Sequence, residues 1–281
     1  MSRLYEALSR MRVNPAPLET SSRVLGGSVR EISENEKRAT ELTFGEPVML
    51  SVTEESRLVT LTARNSLGAD KFRALVNRLT RVREKERLRS IQVTSSGVGE
   101  GKTVVAANLA LTFAKHARSR TLLVEGDLHR PAIAANFGLL RLPGLLDWWS
   151  SPGSGLASYV RRVQGASLWI LTAGCARVQP SELLASGRFR QSFAEIAEQF
   201  DWVVVDSPPM SPVVDVNLWA RLVDGTILVV REGVTPIKRL KKGLATLDEP
   251  KLIGVVRNGA SDLEGEDYES RFYSDTRGPL S

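Results

Sequence analysis

The stretch from Ser90 to Lys115 constrains this chain more than any other. The β-branched run Ser90-Ile91-Gln92-Val93-Thr94 leads directly into Ser95-Ser96-Gly97-Val98-Gly99-Glu100-Gly101-Lys102-Thr103, and the helical run Val104–Lys115 follows at once. Strand, glycine loop and helix in that order form an anion cradle. The glycines let backbone N–H groups turn inward, and the helix N-terminus adds its partial positive charge. The segment reads as a phosphate-binding loop with Gly97, Val98, Gly99, Glu100, Gly101, Lys102, Thr103 and Val104 around a nucleotide. Lys102 is expected to bridge the β- and γ-phosphates of ATP, and the Thr103 hydroxyl to ligate Mg²⁺. The strict G-x-x-x-x-G-K-T pattern asks for glycine where Ser96 stands, so this is a variant loop. A dinucleotide fingerprint fits worse, because Lys102 occupies the place of its third glycine.

Two further strand ends carry acids. Leu122-Leu123-Val124-Glu125-Gly126-Asp127-Leu128-His129-Arg130-Pro131 places Glu125 and Asp127 at the C-terminal end of one predicted strand, and Trp202-Val203-Val204-Val205-Asp206-Ser207-Pro208-Pro209 places Asp206 at the end of another. Ligands of open parallel sheets bind at such tips. Thr103, Glu125, Asp127 and Asp206 are therefore the candidate metal ligands, the last in a Walker B arrangement. With Lys102, the three acids are also the candidate catalytic groups.

Around these motifs, short β-branched runs at Ile91–Thr94, Thr121–Val124, Leu168–Thr172, Trp202–Val205, Thr226–Val230 and Leu252–Val256 alternate with helical stretches. That alternation predicts an α/β P-loop NTPase fold, a mostly parallel doubly wound sheet with helices on both faces. Apolar Phe72, Leu75, Val76, Leu79, Val82 and Leu88 recur at helical spacing between Ala69 and Leu88, which predicts an amphipathic helix leading into the core. Three regions follow: residues 1–66, a short helix at Ser2–Met11 and a mobile connection adding little core; residues 67–258, the catalytic domain; and residues 259–281, a flexible acidic tail.

Hydrophobic residues at 42% and charged residues at 25% suit a soluble globular chain. No apolar run of membrane-spanning length occurs. The lone Cys175, read as a small packing residue, and a start without a secretory h-region point to a reducing cytoplasm. The net charge of +6 concentrates in two helical runs, one holding Lys71, Arg73, Arg78, Arg81, Arg83, Lys85, Arg87 and Arg89, the other Lys238, Arg239, Lys241 and Lys242. Without interleaved aromatics or a reading motif these are solvated faces beside a nucleotide site, and no nucleic-acid partner is expected.

At these motifs the chain resembles the bacterial tyrosine kinases, cytoplasmic P-loop kinases of capsular and exopolysaccharide export, over roughly Ala69–Asn258. The resemblance rests on Thr94–Thr103, on Leu122–Pro131 as a Walker A′ motif, on Asp206-Ser207-Pro208-Pro209, on Pro180-Ser181-Glu182-Leu183-Leu184, on Asp224–Arg231 and on Gly254–Asn258. It implies a protein-tyrosine autokinase using ATP and Mg²⁺, with Asn258 at the adenine, Asp127 as base for the tyrosine proton, and Glu125 and Asp206 chiefly at the metal. The implied phosphoacceptors are Tyr268 and Tyr273, which lie among Asp262, Glu264, Glu266, Asp267 and Glu269. It also implies a membrane-embedded polysaccharide co-polymerase as activator, a homo-oligomer, an antagonist tyrosine phosphatase, and a place at the inner face of the membrane through that partner.

Three departures from the family pattern stand out. Walker A′ usually opens with Asp rather than Glu125. The oligomerisation pattern E-x-x-R-x-x-R reads here as Asp70-Lys71-Phe72-Arg73-Ala74-Leu75-Val76, and the tail has only two tyrosines. These features leave open a second reading, an ATP-binding regulatory or scaffold subunit of an export complex. A cargo-positioning ATPase is disfavoured, because Gly97 stands where those proteins carry a signature lysine. His129 is open between a group tuned beside phosphate and an exposed side chain, and Trp148 and Trp149 between a partner-facing patch and core.

Overall fold

Alternate residues along the inner strands bury into opposite apolar clusters, which is what a sheet covered on both faces requires. Leu123 and Val204 belong to one cluster with Val76, Leu79, Val105 and Leu109; Leu122, Val124, Val203 and Val205 belong to the other with Leu183, Phe189, Phe193 and Trp219. The computed structural model describes residues 42–139, 142–210, 214–247 and 251–259. The expected helix at Ser2–Met11, the first part of the expected connection, and the tail with Tyr268 and Tyr273 lie outside the described residues.

Eight strands form one sheet: β1 (Gly45–Val48), β2 (Ser90–Ser95), β3 (Thr121–Glu125), β4 (Arg161–Val163), β5 (Leu168–Leu171), β6 (Trp202–Asp206), β7 (Gly225–Arg231) and β8 (Leu252–Asn258). Their spatial order is β1-β4-β5-β3-β6-β2-β7-β8, and every pairing is parallel except β4 with β5. The expected doubly wound α/β sheet is observed, with all six expected strands. Because β6 lies between β3 and β2, the loops after these three strands open side by side.

The helix after the glycine loop, Lys102–Lys115, is buried from Val105 through Ala114. It is covered by the amphipathic helix Leu67–Lys85, which begins at a Ser66 cap and buries Ala69, Val76 and Leu79. The charges of Leu67–Lys85 lie on its outer side, where Lys71, Arg78, Arg81 and Lys85 are exposed. Arg83 instead donates to the Asp201 carbonyl at 2.9 Å and lies 5.1 Å from the Trp202 ring. Asp70 and Arg73, from the altered oligomerisation pattern, pair with each other on the same helix.

The segment before Leu67 departs from expectation. Residues 42–66 belong to the same compact unit as the sheet. β1 pairs with β4, Phe44 packs 5.8 Å from Phe200 and 6.4 Å from Trp169, and Leu58 is completely buried. Thr60 donates its N–H to buried Asn108 at 3.1 Å. Its apolar residues are spaced irregularly, which hides their packing from the sequence: Leu42, Phe44, Val48, Leu50, Val52 and Leu61 join Leu58 against the domain, while Met49 stays exposed. Replacing Leu58 by Ala should cost about 2–5 kcal/mol. A denaturant titration checks it, since a mere connection would leave the midpoint unchanged.

Candidate active site

The tips of β2, β3 and β6 bring the predicted loop and acids together. Gly99 and Gly101 adopt φ of 81° and 96°, in the left-handed region that a Cβ disfavours. Lys102 starts the helix immediately after. Its Nζ lies 2.7 Å from Asp127 Oδ2 and 3.7 Å from Asp206 Oδ1, with Thr103 Oγ1 at 3.4 Å. Both carboxylates are buried, so one ammonium balances two desolvated acids.

Those acids differ in what else they touch. Asp127 Oδ1 accepts the Arg130 N–H at 3.0 Å. Neither oxygen of Asp206 has a hydrogen-bond partner, although the side chain is fully buried. Burial pushes the Asp206 carboxyl up to about 7; the Lys102 ammonium and Thr103 hydroxyl oppose this, while Asp127 and Glu125 add to it.

Glu125 sits in register with Asp206 on the adjacent strand but turns away. Its Oε1 accepts the N–H groups of Ile133 at 2.6 Å and Ala134 at 3.3 Å, and its Oε2 that of Ala173 at 2.9 Å. Burial raises its pKa, and these backbone donors counter the rise. Three of its roughly four acceptor positions are thus taken by backbone donors, which leaves little of this carboxylate for the metal expected there. Among the described residues no three His, Cys, Asp or Glu side chains converge into a metal cage.

The phosphate loop is braced from within and without. Glu100 turns inward and its carboxylate accepts from Ser96 N at 2.9 Å and Ser96 Oγ at 2.8 Å. Asn258 at the end of β8 donates its amide to the Glu100 carbonyl at 2.9 Å, and Arg231 donates to the Gly99 carbonyl at 3.2 Å. A Cβ on Gly97 would stand 2.9 Å from a guanidinium nitrogen of Arg239, so an arginine covers the position of the missing signature lysine. Sequence reading missed the bracing roles of Glu100, Arg231 and Arg239. Only the placement of the last two near strand β7's end hinted at them. Val98, at the loop's tip, is exposed, and Val104 is half-buried in the first helical turn.

The remaining candidates resolve as follows. His129 does not stand free: its Nε2 lies 2.8 Å from Asp215 Oδ2. Trp148 is core, 1% exposed with its N–H donated to the Ser154 carbonyl, while Trp149 is half-buried. Cys175 is exposed, contrary to its reading as a packing residue, because the loop after β5 turns it outward while its N–H binds Asp147. Pro180 opens the helix Pro180–Ala185, whose Leu183 and Leu184 are buried beneath the sheet.

No family model matches the chain. It is 29% identical over 217 residues to the tyrosine-protein kinase YwqD of Bacillus subtilis, covering 76% of this chain and 90% of that one. The tyrosine-protein kinase CpsD of Streptococcus pneumoniae serotype 4 is 30% identical over 176 residues, 62% of this chain and 77% of CpsD. The succinoglycan biosynthesis transport protein ExoP of Rhizobium meliloti is 32% identical over 231 residues, which span 77% of this chain but 29% of ExoP. Among solved structures, the BceF tyrosine kinase domain superposes with a TM-score of 0.66 at 28% identity over 74% of this chain and 85% of that domain. The loop, the adjoining acidic strand tips and these likenesses agree: the chain is a nucleotide-binding protein that belongs to the bacterial tyrosine kinase family.

Proposed function

We propose that this protein is an autokinase that moves the γ-phosphoryl group of ATP to Tyr268 and Tyr273, regulating exopolysaccharide or capsule synthesis and export. The observation that carries this reading is Lys102 held between Asp127 and Asp206 at the mouth of a phosphate loop. When the ammonium turns to the phosphates, Asp127 loses its nearest cation and becomes available to accept the phenolic proton. The tyrosine oxygen then bonds to the γ-phosphorus, the bond from that phosphorus to the β-phosphate oxygen breaks, and ADP leaves. Loop N–H groups and Lys102 stabilise the charge on the transferring oxygens.

Mg²⁺ fits this site. A fully buried carboxylate without a hydrogen bond at either oxygen, Asp206, faces the Thr103 hydroxyl across a loop made for phosphate. Mg²⁺ commonly takes one or two carboxylates and fills its shell with phosphate and water. Thr103 and Asp206 would hold it, with Asp127 nearby, and it would neutralise charge on the β- and γ-phosphates. Asn258, fastened to the loop backbone, would meet the base in this reading. Among the described residues no helix is long and apolar enough to cross a membrane. A membrane-embedded co-polymerase, a second copy of the chain and an opposing phosphatase complete the reading as partners at the membrane's inner face.

Intact-mass and peptide mass spectrometry after incubation with Mg-ATP tests the activity. Phosphate is expected on Tyr268 or Tyr273, absent in Lys102→Met and displaced or lost in the Tyr268→Phe/Tyr273→Phe double variant. ATP binding without tyrosine phosphate would point instead to a nucleotide-controlled assembly subunit.

The buried charge makes a second prediction. Burial carries the Asp206 carboxyl from its ordinary 3.8 to about 7 in the folded chain, so through that window the folded chain holds a proton that the unfolded chain has released. Without ligand, this group makes stability fall as pH rises from 3.8 towards about 7. Asp206→Asn should melt like the parent near pH 4 and higher above pH 7, by about 2–4 °C per kcal/mol relieved, while losing Mg²⁺-dependent ATP affinity. Melting curves across pH with and without Mg-ATP check both halves.

A further inference from the structure

We infer that Glu125 is the positioning residue of Walker A′, a strut whose three backbone contacts fix where Asp127 stands against Lys102. Its effect on phosphoryl transfer rests on the kinase reading above; the contacts themselves do not.

Glu125 joins chain segments distant in sequence. Its side chain leaves the tip of β3, is 1% exposed, and reaches the backbone of Ile133 and Ala134 on one side and of Ala173, just past β5, on the other. The next residue is fixed as firmly. Gly126 donates its N–H to the Asp206 carbonyl at 2.9 Å and accepts the Trp219 indole N–H at 3.0 Å. A Cβ there would lie 2.7 Å from Val205 and 2.9 Å from Trp219, so the backbone is pressed against the neighbouring strand. Asp127 emerges from this clamp with one oxygen on Arg130 N and the other on Lys102. These contacts hold residues 125 and 126 immediately before the carboxylate that must meet the substrate proton.

The length of Glu125 is the point. An acid one methylene shorter withdraws its oxygens by about 1.5 Å, which takes bonds of 2.6 and 2.9 Å beyond hydrogen-bonding range. The amide donors of Ile133 and Ala173 would then be buried without partners. A metal ligand or base behaves oppositely: shortening it keeps the charge, whereas converting it to an amide destroys the function. Gln keeps the reach but has one acceptor oxygen where Glu125 uses two, so it can hold the Ile133 and Ala134 donors while its NH₂ faces the Ala173 donor. The strut therefore ranks Gln above Asp, and the ligand Asp above Gln.

The test uses the full chain with Glu125→Asp, Glu125→Gln and Glu125→Met, the last matching the side chain's reach without accepting a hydrogen bond. Tyrosine phosphorylation gives kcat and KM for ATP, and amide hydrogen exchange at Ile133, Ala134 and Ala173 reads the contacts without any chemistry. E125Q is expected to keep kcat within about tenfold of the parent. E125D and E125M are expected to lose about a hundredfold, with KM for ATP within about threefold in all three. Exchange should quicken at both Ile133 and Ala173 in E125D and E125M, and at Ala173 alone in E125Q. Activity retained in E125D but abolished in E125Q would overturn the proposal in favour of an acid or ligand role. So would unchanged exchange in both E125D and E125M. Should tyrosine transfer be absent from the parent, the exchange order still decides whether the strut exists, and the kinase reading alone fails.

Discussion

One ammonium group holds the active end of this protein together. Lys102 lies between the buried carboxylates of Asp127 and Asp206, which project from neighbouring strands and would repel each other at this depth. The sheet order makes the encounter unavoidable, because β6 separates β3 from β2 and their tips open into the same space. The arrangement is uneasy by construction: Asp206 lacks a hydrogen bond at either oxygen, and burial carries its pKa towards neutrality. Sites that must take up a cation and release a product commonly carry such unrelieved charge, at the expense of stability.

The variant phosphate loop makes sense on the same terms. Where the strict pattern asks for glycine, Ser96 offers both its N–H and its hydroxyl to the Glu100 carboxylate four residues on. This closes the start of the loop on itself through a buried side chain. Arg231 and Asn258 then fasten its outer carbonyls from the ends of β7 and β8. A loop that bends around phosphate by glycine freedom alone would order only on binding; this one has its curvature set beforehand.

Much of this was legible in the residues. Six strands announced themselves by their β-branched and apolar runs, five of them interior and β8 at the edge, and the loop and acidic tips followed from their places at strand ends. The two short strands were not legible: β1 and β4 hold four and three residues, and partners distant in sequence rather than their own pattern define them. The contacts of Glu125 were not legible for a related reason. Its neighbours in sequence suggest a metal site, whereas Ala173, which takes one of its oxygens, lies far along the chain. Cys175 likewise depended on the turn of a loop that no local periodicity records.

The central position of β2 has a consequence for the life of the chain before it is finished. Its partners on either side are β6 and β7, both made on the order of a hundred residues later in synthesis, at roughly 5–20 residues per second. For several seconds the ribosome therefore holds out a strand with both edges bare, joined to a loop that has nothing yet to bind. The most functional segment of the molecule is thus also its greatest liability at birth, exposed to chaperones and to neighbouring nascent chains until the sheet closes around it.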